Sequence, residues 1–79
     1  MIKVNIINIE EFLHTVNGCK GAVYMLTPDG EQIDINGQYE VQQQLRRQHL
    51  DNKKYLPLIL NIPAPSDYMS IINFYVGDL

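Results

Sequence analysis

Tryptophan is absent from this chain of 79 residues, cysteine occurs once and phenylalanine twice. A single cysteine, Cys19, excludes an intramolecular disulfide and with it the small secreted scaffold held together by paired cysteines. A reducing cytoplasm is therefore the expected setting. Long apolar runs are missing too: Asn5, Asn8, Glu10 and Glu11 interrupt the opening stretch MIKVNIINIEEF before a signal-peptide core or a membrane span accumulates. The chain is read as unprocessed and not membrane-bound. No phosphate loop is present, because Gly18, Gly21, Gly30, Gly37 and Gly77 never form a Gly-x-Gly-x-x-Gly run. An excess of basic charge is lacking as well, and the net charge of −3 argues against a generic polyanion binder.

What is there is apolar material, 46% of the residues, in a length that makes one domain. A chain this short buries only about 60% of the surface its unfolded form exposes, so its core has little to spare. Residues 2–7 alternate apolar and polar, with Ile2, Val4 and Ile6 on one side, as a half-buried strand requires. Asn8 then stands three residues before Glu11 in capping-box spacing, and a helix over 9–17 collects Ile9, Phe12, Leu13 and Val16 on one stripe before Gly18 stops it.

Segments 21–27 and 31–36 are rich in strand formers and flank Pro28-Asp29-Gly30, the residues of a three-residue hairpin loop. That loop sets Met25 opposite Ile33 and Val23 opposite Ile35, with Tyr24, Leu26, Gln32 and Asp34 on the other face. A glutamine-rich helix follows over about 38–50, with a thin stripe of Val41 and Leu45 continued by His49, and Tyr39 and Leu50 at its margins. Residues 55–62 read as a strand with Leu58, Leu60 and Ile62 on one face, and Pro57 argues that it lies at an edge or begins there. Ser66 caps a last helix to about Val76, ended by Gly77.

The order β-α-β-β-α-β-α describes a single α+β domain over 1–79, a ferredoxin-like four-stranded antiparallel sheet with an added C-terminal helix. In that arrangement the first and third strands are central and the fourth is at an edge.

Candidate chemistry is sparse. Asp29, Glu31 and Asp34 surround Gly30, but an EF-hand register places Met25 or Gln32 at the first ligand position, so these acids are read as turn chemistry and no metal or cofactor is expected. Cys19 follows the glycine that ends the first helix, and His14 lies on that helix's polar face. No spacing joins a nucleophile, a base and an oxyanion donor, so no enzyme is predicted. Two surfaces remain. On the last helix Tyr68, Met69, Ile71, Ile72, Phe74, Tyr75 and Val76 sweep an apolar arc of about 220°, more than one sheet face covers. Tyr68, Ile71, Phe74 and Tyr75 are accordingly the candidate interface for a protein partner or a second copy. The alternative is a nucleic-acid contact through the basic segment Arg46, Arg47, His49, Lys53 and Lys54.

The stretches VNGCKGAVYMLTPDGEQIDIN and LPLILNIPAPSDYMSIINFYVGD carry a Cys-x-Gly step into a hairpin and a strand followed by a Pro-started amphipathic helix, with a polar helix between them. In these features the chain resembles a group of small uncharacterised bacterial proteins often found on mobile elements. The resemblance implies a bacterial cytoplasmic protein with an accessory or regulatory role, and carries no catalytic residue.

Overall fold

The computed structural model describes residues 1–78. Seven elements follow in the expected order: β1 (Ile2–Ile6), α1 (Ile9–Asn17), β2 (Tyr24–Leu26), β3 (Gln32–Asp34), α2 (Tyr39–Asp51), β4 (Leu56–Asn61) and α3 (Pro65–Asp78). The four strands form one antiparallel sheet in the order β1-β4-β2-β3. The domain is thus α+β with a four-stranded antiparallel sheet and a C-terminal helix.

The placement of strands within that sheet differs from the sequence-based expectation. β4 is interior, between β1 and β2, while β1 and β3 lie at the edges. Pro57 is tolerated inside the sheet for a local reason. β1 pairs with β4 from Leu56 to Leu60, but β2 meets β4 only through Met25–Leu60 and Tyr24–Asn61, so no strand lies against the far side of Pro57.

The hairpin forms in the register that its loop dictates. Tyr24 faces Asp34, Met25 faces Ile33 and Leu26 faces Gln32. The Thr27 and Gly30 amides donate to the Glu31 and Thr27 carbonyls at 2.9 Å each, and Gly30 takes φ +87°, a conformation open to glycine at little cost. Both strands are shorter than expected: the Ile35 amide still donates to the Val23 carbonyl at 2.8 Å, but Asp34 takes the return bond. Its carboxylate accepts the Val23 and Asn36 amides at 3.1 and 2.9 Å, so a side chain replaces one of the two bonds of the Val23–Ile35 pair.

α1 occupies the predicted range. The Asn8 Oδ1 accepts the Glu11 amide at 3.1 Å, and Ile9, Phe12, Leu13 and Val16 are all buried. Gly18 ends the helix with φ −83°, an ordinary right-handed value, so its special freedom is not used. α2 is shifted by one residue and closes with a Schellman-type bond from the Lys54 amide to the His49 carbonyl, 2.7 Å, which holds Lys53 and Lys54 at φ +60° and +62°. α3 begins two residues earlier than a Ser66 cap implies: Pro65 supplies the first position, where a missing N–H costs nothing, and the Ala64 carbonyl accepts the Tyr68 amide. The helix also continues through Gly77, since a glycine weakens a helix by about 1 kcal/mol without forbidding it.

Among the described residues thirteen apolar ones make the core, including Val4 and Ile6 of β1, Leu56 and Leu60 of β4, Leu45 of α2 and Ile71 of α3. Residues paired across strands share a face, so Ile2, Val4, Ile6, Met25, Ile33, Leu56, Leu58 and Leu60 all belong to the core side of the sheet. Lys3, Asn5, Tyr24, Leu26, Gln32, Pro57, Ile59 and Asn61 stand on the opposite face.

Candidate interaction surface

α3 divides its apolar arc between the core and the outside. Ile71 is fully buried and cannot reach a partner, a correction to its place in the predicted interface. Tyr68, Phe74 and Tyr75 are half-buried and pack against the core. Phe74 stacks at a tilt on Phe12 of α1, with ring centroids 5.8 Å apart, and the Tyr75 hydroxyl accepts the Asn5 amide of β1 at 3.3 Å. The helix is thereby fastened to α1 on one flank and to the β1 edge on the other. What remains outside is a narrower stripe: Met69 at 51% and Val76 at 64% exposure, with half-buried Ile72 between them. The spacing 69-72-76 places all three within about 60° of the helix circumference. Ser66, Ser70, Asn73 and Gly77 occupy the exposed polar side as expected.

The basic segment is partly spent within the domain. His49 is buried, and its Nε2–H donates to the Ile7 carbonyl at 2.6 Å, so it is lost as a surface contact. Its place on the α2 stripe turns it inward, and the Ile7 carbonyl receives its polar tip. Arg46 grips Glu10 of α1 through Nε and Nη2 at 2.8 and 3.2 Å and bonds the Gln43 side chain at 2.8 Å. Arg47, Lys53 and Lys54 are exposed.

A cluster of polar side chains that the sequence reading passed over organises the loop between α1 and β2. Asp67, in the first turn of α3, is buried, and its two carboxylate oxygens accept the Lys20 and Gly21 amides at 3.0 and 2.8 Å. The Asn36 side-chain amide donates to the Cys19 and Gly21 carbonyls at 3.0 and 2.7 Å. Gln42 is buried on α2 and donates to the Ile35 carbonyl at 2.8 Å and to Asn17 at 2.7 Å. The only sequence signals for these roles are an acid in a helix first turn and a glutamine within the α2 stripe. Cys19 donates its S–H to the Thr15 carbonyl at 3.4 Å, and burial, helped by the Asp67 carboxylate, pushes its thiol above the ordinary range. Such an environment disfavours the thiolate that a nucleophile needs. His14 is exposed. Of the three hairpin acids, Asp29 and Glu31 are exposed and Asp34 is committed to backbone amides.

A groove of about 630 Å³ opens where the hairpin and β4 part, walled by residues 3–5, 25–28 and 57–59 and by Gln48 of α2. Neither histidine nor Cys19 lines it. Among the described residues no helix is long and apolar enough to cross a membrane. Comparison of the chain with protein-family models, with curated proteins and with solved structures gives no match.

Proposed function

We propose that this protein is a non-enzymatic interaction module that self-associates, or seats a protein partner, on the outer stripe of α3, consistent with an accessory role. The observation that carries this reading is the exposure of Met69 and Val76 beside Ile72 on a helix whose opposite side is anchored in the core. Apolar side chains aligned at this spacing are suited to pack against a second helix. The polar rim of Ser66, Ser70 and Asn73 matches the border of an interface.

Sedimentation velocity over a micromolar concentration series tests it. The expected result is a concentration-dependent larger species that Met69→Ser plus Val76→Ser removes with the melting temperature unchanged. A wild-type chain that stays monomeric overturns self-association, and cross-linked partners retained by the double variant overturn the partner form. Phe74→Ser is unsuited to this test, since the ring packs on Phe12 and its loss destabilises the monomer.

A second reading, nucleic-acid binding, rests on Lys53 and Lys54. Both are exposed and hold a left-handed backbone conformation that glycine would adopt at less cost, which places two cations at a strained turn. The same sedimentation series with a labelled single-stranded oligonucleotide separates the two. Salt-sensitive co-sedimentation lost in Lys53→Gln plus Lys54→Gln supports this second reading, and no co-sedimentation at low salt removes it.

A further inference from the structure

β4 is an interior strand with part of one edge bare. Its β1 side is paired from Leu56 to Leu60, whereas β2 meets it only at Leu60 and Asn61. The groove that opens beyond this point, about 630 Å³, lies within the range of roughly 300 to 1,000 Å³ that bound small molecules occupy. Its lining includes Met25 and Leu58 from the core side of the sheet and Leu26 and Ile59 from the opposite side, so apolar surface continues through the gap. Lys3 is the single charged residue of the lining, and its ammonium has no hydrogen-bond or ion-pair partner among the described residues.

Pro57 discriminates between kinds of occupant. The Asn5 amide is directed away from β4, to the Tyr75 hydroxyl, which makes Asn5–Pro57 a pair that exchanges no hydrogen bonds. By the alternation of antiparallel pairing, the Pro57 nitrogen then faces the gap. It has no hydrogen to donate, so a peptide strand added here loses a ladder bond. A ligand with an apolar body loses nothing.

We propose that this groove binds a small anionic amphiphile, an apolar chain or ring bearing one carboxylate, with its body between the hairpin arm and β4 and its carboxylate on Lys3. Asn5, Thr27 and Gln48 supply neutral hydrogen-bonding groups along the lining. The site goes beyond the α3 reading and shares no residue with it, so either can fail alone.

The test is an amide chemical-shift titration of the intact, isotopically labelled chain with octanoate below its micelle concentration, with octanol as the uncharged probe. Saturable shifts are expected at residues 3–5, 25–27 and 58–59. Octanol, and octanoate with Lys3→Gln, are expected to bind roughly tenfold more weakly, the loss of one charge-assisted hydrogen bond. Lys3 is exposed on an edge strand, so this variant keeps the fold, and Ile59→Trp, which fills the groove from the outer face, provides a second block. Octanoate without saturable shifts, shifts centred on α3, or equal binding of octanol overturns the proposal. So does a capped acidic peptide that protects β4 amides from exchange while octanoate leaves them unshifted, which would assign the edge to strand addition.

Discussion

Asp67 ties α3 to the loop between α1 and β2. Two backbone amides of the α1–β2 loop, 47 and 46 residues away in sequence, donate to its carboxylate, and the residue is buried. A hydrogen bond to a charged group contributes about 1.5–3 kcal/mol, and an amide left without its acceptor costs more than the bond itself. Asp67→Ala is therefore expected to lower stability by about 2–4 kcal/mol, and Asp67→Asn by about half as much, because the amide retains one acceptor oxygen. Urea denaturation checks the pair. A loss no larger than that of the exposed Ser66→Ala would show that water replaces the carboxylate without penalty. None of this was legible in the sequence, where Asp67 reads as an ordinary acid near a helix start. Gln42 was no more legible, and His49 only as the continuation of the α2 stripe. Each has a polar tip that ought to seek water, and each is buried because a backbone carbonyl, Ile35 or Ile7, stands within reach.

At the scale of elements, the loops are controlled by backbone conformation. Gly30 has nothing within 4 Å of where a Cβ would stand, so Gly30→Ala is penalised by its φ of +87° alone. The expected cost is about 1–2 kcal/mol. Lys53 presents the reverse case, a lysine in the left-handed C′ position that closes α2. Lys53→Gly is expected to stabilise the domain by roughly 1 kcal/mol, by relieving the same conformational penalty. Thermal melts of the two variants should move in opposite directions, and a shift of the same sign in both would refute the argument. The hairpin was legible in full register because Pro28-Asp29-Gly30 and the alternating side chains on either side are local. The lengths of its strands were not, since the Asp34 carboxylate captures the Val23 amide and leaves the Val23–Ile35 pair with one backbone bond. The start of α3 was misplaced by two residues, the cap falling at Ala64 instead of Ser66. Pro65 and Ser66 are both credible openings, and the Ala64 carbonyl settles the choice by capturing the Tyr68 amide.

At the scale of the whole molecule, the sheet is closed by a strand that arrives late in the chain. β4 lies between β1 and β2 and pairs with both, so the N-terminal strand and the hairpin share a sheet only through it. Amide exchange is expected to be slowest in β1 and β4 around Val4, Leu58 and Leu60 and fast at the hairpin tip, with the β1 and β4 amides exchanging through one common opening. Independent exchange of β1 and β4 would contradict this dependence. The same topology creates the groove beside Pro57, because β2 departs from β4 after two residue pairs.

The sequence alone determined what depends on neighbours a few residues apart: the strand and helix periods, the Asn8 cap, the hairpin register, and which side of α3 meets water. These are decided by backbone sterics and by the 2- and 3.6-residue repeats, which any short segment carries within itself. Only the tertiary structure decided the strand order, the burial of Asp67, Gln42, His49 and Ile71, and the engagement of Arg46 by Glu10. Each of these depends on a partner tens of residues distant, and many chain paths satisfy the same local pattern. The choice among them falls to the packing of the core and the pairing of buried polar groups, which exist only once the chain has closed on itself.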